Sequence, residues 1–165
     1  MEREDVDAQV RRRTVPAESL LRLASLRGMT LLEKVTKAER VFIIGNGGSW
    51  ANAVHIANDL LATGVAAFTL DAATLTATAN DFSYEEVFSR WLRVVASPKD
   101  LLIALSGSGV SRNIVRAMAE AERIGMASHL VTHYLRGRTM QESEEDQLVI
   151  GHELRAALMT YRQCS

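Results

Sequence analysis

Two segments decide the fold: RVFIIGNGGS at residues 40–49 and DLLIALSGSGVS at residues 100–111. Each begins with a short aliphatic run and ends in glycines and serines. An uninterrupted run of four or five apolar residues is typical of a strand that is covered on both faces. Helical patterns follow the two turns at residues 50–62 and 111–124. The segments therefore predict two strand–turn–helix units of a parallel sheet.

The same alternation of strand and helix patterns continues along the chain. Further strands are predicted at residues 64–70 and 129–132, a short fifth strand at 147–150, and another helix at 84–95. Right-handed crossovers between parallel strands place helices on both faces of a sheet. We therefore predict an α/β fold, a three-layer αβα sandwich whose central parallel sheet has about five strands. Ligands of such sheets bind beyond the carboxyl ends of the strands.

Chain length predicts a single domain over residues 1–165. Within it we expect a flexible terminus at 1–15, a helical segment at 16–38, an αβα core at 40–151 and a short C-terminal helix at 152–165. A thin sheet of short strands leaves little room to bury the N-terminal helix. We therefore expect four of its leucines to pack partly against another subunit of a homo-oligomer: Leu20, Leu23, Leu31 and Leu32.

Composition excludes several classes of function. The net charge of −1 provides no large basic field to attract nucleic acid or anionic lipid. No apolar stretch reaches the ~20 residues of a membrane helix, and we expect no signal peptide, because no apolar run follows the N-terminal charges. The only cysteine, Cys164, excludes a disulfide within the chain and a cysteine metal cluster. We expect a cytoplasmic protein without nucleic-acid or membrane partners.

The two glycine–serine turns predict a site for an oxyanion such as phosphate. Glycines let backbone N–H groups approach an anion, a helix N-terminus adds free donors, and serine hydroxyls add further ones. Neither turn carries the lysine of a P-loop, and neither completes GxGxxG, because Trp50 and Arg112 stand at the third glycine position. A dinucleotide site is the alternative, with Asp71 at the end of the second strand as the ribose-binding acid.

One helix pairs an imidazole with a carboxylate. His55 and Asp59 stand at i and i+4 and so share a face of the helix that follows the first turn. Near a phosphate site, such a pair suits proton transfer through an enediol. The alternative is a structural ion pair on the helix surface.

Several motifs together resemble the phosphoheptose isomerase branch of the sugar isomerase (SIS) family. They are GNGGS with a histidine six residues after the serine, NDF at residues 80–82, and the stretch 100–126. The resemblance implies aldose–ketose isomerisation of sedoheptulose 7-phosphate. It also implies a homo-oligomer, a dimer or tetramer with active sites at subunit interfaces. No cofactor is required, although some members bind zinc.

The resemblance also implies roles for individual residues. His55 and Asp59 take the catalytic positions on the first helix, where Asp59 stands in place of a glutamate, and in zinc-binding members the corresponding pair holds the metal. Phosphate contacts are implied for Ser49, Ser106, Ser108 and Ser111. Candidates for other substrate contacts are Asn46, Gly47, Gly48, Asn80 and Asp81.

The C-terminal segment departs from the family pattern. The family's last helix carries a glutamine and, eight residues later, a second catalytic histidine. Aligning that helix with the segment beginning at His152 places His152 at the glutamine and Thr160 at the histidine. His152 and His133 are the candidates for a second acid/base group. If neither reaches His55 and Asp59, the alternative function is a non-catalytic SIS module that binds a sugar phosphate or docks a partner protein.

Overall fold

A parallel sheet of four strands forms the centre of the computed structural model, which describes residues 29–132 and 139–163. The strands are β1 (Val41–Gly45), β2 (Ala67–Phe68), β3 (Leu101–Leu105) and β4 (Ala127–Val131). Strand β1 pairs with β2 on one side and with β3 on the other, and β4 pairs with β3, so the order is β2-β1-β3-β4. Between β1 and β3 the register runs from Val41 opposite Leu101 to Gly45 opposite Leu105.

Helices cover both faces of this sheet. One core lies beneath the two helices that flank β1 in the sequence and the helix that follows β4, and the other lies beneath the two helices that flank β3. All residues of β1 and β3 are buried, as their uninterrupted apolar runs predicted, and the three-layer αβα sandwich is confirmed. The helices are α1 (Leu31–Lys37), α2 (Gly48–Ala62), α3 (Ala72–Asp81), α4 (Val87–Val95), α5 (Arg112–Ile124) and α6 (Met140–Gln163), with a 3₁₀ turn at Tyr84–Glu86.

The fifth strand predicted at residues 147–150 is wrong, because these residues lie inside α6. Thr139 and Glu142 cap this helix reciprocally: each backbone N–H donates to the other's side chain, at 2.7 and 3.2 Å. Its buried positions, among them Gln147, Leu154 and Leu158, follow a helical period. The C-terminal helix therefore begins at Met140, not at residue 152, and the predicted boundary at 151/152 falls within one continuous element.

The predicted flexible terminus at 1–15 lies outside the described residues, and the helical segment predicted at 16–38 lies only partly within them, where α1 begins at Leu31. Leu20 and Leu23 lie outside them, as does His133. Leu31 is 1% exposed and belongs to the core of its own chain, against which Leu32 packs as well. The prediction that Leu31 packs against another subunit is therefore wrong. Among the described residues, no helix combines the length and the apolarity that crossing a membrane requires.

Candidate active site

The two glycine–serine turns meet at the carboxyl edge of the sheet, because β1 and β3 are neighbours and in register. A pocket of about 220 Å³ lies between these turns and the first two turns of α6. Met140 and Glu144 form its wall on the side of α6. All four serines that were predicted to bind phosphate line it, together with three of the predicted substrate contacts: Ser49, Ser106, Ser108, Ser111, Asn46, Gly47 and Gly48.

The first turn depends on two glycines. A Cβ on Gly45 would lie 2.6 Å from the carbonyl carbon of Ser49, so only glycine lets the strand turn this sharply into α2. Gly47 has φ +55°, which favours glycine. Trp50 N already donates to Gly47 O at 3.0 Å, so only the N–H groups of Gly48 and Ser49 precede the hydrogen bonds of α2, whose first turn carries no acidic residue. The start of α2 can therefore donate to an anion in the pocket.

In the second turn, the serine hydroxyls lie where an anion could bind. Ser106 Oγ accepts from Gly109 N at 3.1 Å and Ser108 Oγ from Val110 N at 3.3 Å. Both hydroxyls keep their own hydrogens for another acceptor. Ser111 occupies the N-cap position of α5, yet its side chain makes no capping hydrogen bond. Three hydroxyl donors are thus available to a ligand.

A hydrogen-bond network that the sequence did not reveal connects the two turns. Asn46 and Asn113 pair through their amides at 2.8 and 2.7 Å, and the Tyr84 hydroxyl donates to Asn46 Oδ1 at 2.8 Å. Asn113 is 3% exposed. No local pattern distinguishes Asn113 from an ordinary helix residue, because its role depends on a partner 67 positions away. The network fixes the distance between the turns.

His55, Asp59 and His152 form a second cluster, where α2 packs against α6. The Nε2 atoms of the two histidines are 3.0 Å apart. Asp59 Oδ2 lies 3.5 Å from His55 Nε2 and 3.8 Å from His152 Nε2. This oxygen is buried and has no hydrogen bond among the described residues. Arg155 Nε lies 3.8 Å from the other carboxylate oxygen, Oδ1.

Close packing of α6 on α2 brings His152 to this cluster. Asn52 Nδ2 donates to Glu144 O at 2.8 Å and to Gln147 Oε1 at 3.1 Å. One turn further, a Cβ on Gly151 would lie 2.5 Å from Cγ1 of Ile56, so glycine permits the close approach of the helices. The alignment that placed Thr160 at the catalytic histidine is therefore wrong. Thr160 is exposed and its hydroxyl donates to Ala156 O within α6.

Three other residues from the sequence analysis lie apart from the pocket. Asn80 and Asp81 end α3, where Asn80 Nδ2 donates to Asp81 Oδ1 at 2.9 Å, and neither residue lines the pocket. Asp71 caps α3 by accepting from Thr74 N at 2.9 Å. This hydrogen-bonding with Thr74 lowers the pKa of Asp71, and the capping role leaves no support for a ribose-binding acid.

Comparison with known proteins identifies relatives of this chain. The model of the SIS domain matches residues 27–131. A phosphoheptose isomerase of Akkermansia muciniphila is 39% identical over 132 residues, which make up 70% of this chain and 69% of the relative. A phosphoheptose isomerase of Helicobacter pylori is 37% identical over 117 residues, 66% of this chain and 61% of the relative.

A solved structure shares the whole fold. The phosphoheptose isomerase of Neisseria gonorrhoeae superimposes with a TM-score of 0.75, and the superposition covers 95% of this chain and 94% of the other. The two sequences are 23% identical, so the likeness concerns the fold.

Proposed function

The chain belongs to the SIS domain family, and from that premise we propose that it is a phosphosugar isomerase that acts on sedoheptulose 7-phosphate through an enediol. The observation that carries the proposal is the position of His152, which lies beside His55 and Asp59. The chain thereby has two acid/base groups besides His55, and the cluster lies on the two helices whose first turns line the phosphate pocket. The relatives named phosphoheptose isomerases support the choice of substrate.

The serine pocket would anchor the substrate's phosphate. Its donors are the hydroxyls of Ser106, Ser108 and Ser111 and the free N–H groups at the start of α2. These donors bind an oxyanion without a cationic side chain. Anchoring the phosphate fixes the far end of the sugar, so the reacting carbons meet the acid/base groups in one orientation.

The distance from the pocket to the cluster suits a long sugar. The helical rise puts His55 about 10 Å along α2 from Gly48 and His152 about 12 Å along α6 from Glu144. An extended carbon chain advances about 1.25 Å per bond, so a seven-carbon phosphate ester reaches roughly 9–10 Å from its phosphorus to its first carbon. A triose phosphate would be too short to occupy both ends.

Enediol chemistry requires one group to remove a proton from the carbon beside the carbonyl and another to move a proton between the two oxygens. Asp59, whose Oδ2 is buried and unpaired among the described residues, is the proposed base. The second role falls to a histidine, since an imidazole nitrogen can donate or accept a proton. We assign to His152 the proton transfer between the two substrate oxygens, because His152 lies on α6 and faces Asp59, the proposed base on α2.

The same three residues fit a zinc ion. Two imidazole nitrogens and a carboxylate oxygen lie within 4.8 Å of one another. The buried Oδ2 of Asp59 has no hydrogen bond with the described residues, and a metal ion would give it a partner. This donor set matches catalytic zinc sites, which keep one position open. In a zinc-bound form, His55, Asp59 and His152 would hold the ion instead of carrying protons, and bound zinc would polarise the substrate carbonyl.

An oligomer with active sites at its interfaces is part of the proposal. Helices α2 and α6, which carry the two histidines, also carry apolar side chains that are about half exposed in the single chain. These side chains are Val54, Leu61, Val149 and Met159. A second subunit that covered them would lie beside the cluster and exclude water from it.

Turnover of sedoheptulose 7-phosphate to the aldose tests the proposal. We expect the wild-type chain to catalyse it and His152→Asn to lose at least about a hundredfold in kcat. The matched control is His129→Asn, since His129 lies on β4, outside the cluster. Tight binding of the sugar phosphate without any turnover by the wild type would instead favour the non-catalytic SIS module.

A further inference from the structure

The wall of the phosphate pocket carries a carboxylate. Glu144, in the second turn of α6, lines the pocket together with Ser108 and Ser111. A Cβ on Gly48 would overlap the carboxyl group of Glu144, so this group lies directly against the first turn of α2. Its backbone carbonyl is held by Asn52 Nδ2 at 2.8 Å, which fixes the base of the side chain.

No cation among the described residues offsets this charge. The residues that line the pocket include neither lysine nor arginine in the part of the chain the structure describes. The arginine that follows the second turn, Arg112, is bound to Glu85 at 2.9 Å instead. That hydrogen bond from Arg112 lowers the pKa of Glu85. The carboxylate of Glu144 itself has no ion pair with the described residues.

A carboxylate at this place affects two kinds of ligand differently. It repels a phosphate anion in the pocket, since like charges a few ångströms apart interact strongly at a partly buried site. It also accepts hydrogen bonds from hydroxyl groups, and such charge-assisted bonds are about twice as strong as neutral ones. Glu144 lies at the serine pocket, about two turns of α6 before His152, so a sugar that extends from the pocket to the histidine cluster would pass it.

We propose that Glu144 is a specificity-determining residue that makes the pocket discriminate against free inorganic phosphate in favour of phosphate carried on a polyhydroxylated chain. This inference rests on the proposed function and refines its substrate class. The carboxylate of Glu144 repels both inorganic phosphate and the sugar phosphate, but only the sugar phosphate has hydroxyl groups that donate to it. The ratio of the two binding constants is therefore independent of the repulsion and measures the hydroxyl contacts alone.

Isothermal titration of the full chain with inorganic phosphate and with sedoheptulose 7-phosphate tests this. In Glu144→Gln, which keeps the shape and removes the charge, phosphate should bind about tenfold more tightly. The preference for the sugar phosphate over phosphate should fall about fivefold, the difference between a charge-assisted and a neutral hydrogen bond. Glu145→Gln, an exposed neighbour on the same helix, is the matched control and should change neither value.

The possible failures are distinguishable. If the wild type binds the sugar phosphate but Glu144→Gln leaves the preference unchanged, or changes it no more than Glu145→Gln does, the role of Glu144 is wrong and the proposed function stands. If the wild type binds no sugar phosphate, the proposed function fails and the specificity inference fails with it.

Discussion

Replacing Gly151 by alanine should separate activity from stability. Gly151 of α6 lies against Ile56 of α2, and a methyl group on Gly151 would lie 2.5 Å from Cγ1 and 2.9 Å from Cδ1 of Ile56. Carbon atoms in contact prefer about 3.5 Å. Relieving the overlap requires α6 to withdraw by about 1 Å, and His152, the next residue, withdraws with it.

The expected magnitudes follow from this displacement. Overpacking costs about 1–3 kcal/mol, and alanine is more favourable than glycine in a helix by up to about 1 kcal/mol, so the free energy of unfolding should fall by roughly 0–2 kcal/mol. A displacement of about 1 Å at a catalytic group costs about a hundredfold in rate. We therefore expect a folded protein whose kcat/KM is lower by about two orders of magnitude.

Steady-state kinetics with sedoheptulose 7-phosphate measure kcat/KM, and urea denaturation of the same preparation measures the free energy of unfolding. The second variant is Gly151→Ala combined with Ile56→Ala, which removes both clashing carbons and should recover most of the lost kcat/KM despite its own cost in stability. Activity of the single variant within about threefold of the wild type would refute the claim that Gly151 positions His152.

Three further predictions concern other parts of the fold. Asn113→Ala should raise KM about tenfold with little change in kcat, because Asn46 loses the partner that ties the two turns together; an unchanged KM would contradict this role of the network. Burial of His129 lowers its pKa to about 4, assisted by the nearby charge of Lys34, so the unfolded chain takes up a proton near pH 6.5 while the folded chain does not. Stability should therefore fall by up to about 3 kcal/mol between pH 6.5 and 4, and His129→Leu should remove that part of the loss in denaturation curves at the two pH values; parallel losses in both proteins would refute it. Glu120 accepts from Arg93 and Arg123, which lower its pKa to about 2, and Glu120→Gln should lower the free energy of unfolding by about 1–2 kcal/mol at pH 7, with no such loss in Glu122→Gln, an exposed neighbour.

The strands and turns that build the pocket were predictable because their signals are local. An uninterrupted apolar run followed by glycine and serine, as at residues 40–49, specifies a buried strand and a turn at its end. Adjacency of β1 and β3 then brings the serines together without further information. The resemblance to a known family added the expectation of a catalytic pair at His55 and Asp59.

Other features depend on signals that are weak or distant. The segment 147–150, with three apolar residues at 148–150, suited a strand or a helix equally, and the cap at Thr139 that begins the helix lies eight positions upstream of it. Helix α3 escaped prediction because its Ala/Thr-rich sequence buries no residue fully. The approach of His152 to His55 requires contacts 97 positions apart, which no local pattern encodes.

Deuterium exchange on sedoheptulose 7-phosphate in D₂O, followed by NMR, shows whether His55, Asp59 and His152 move protons on a sugar held by its phosphate. Deuterium should appear at the carbon beside the carbonyl with the wild-type chain and should not appear with Asp59→Asn. Absence of exchange with the wild type, while the sugar phosphate still raises its thermal midpoint, would contradict the account and leave a protein that binds the sugar without reacting with it.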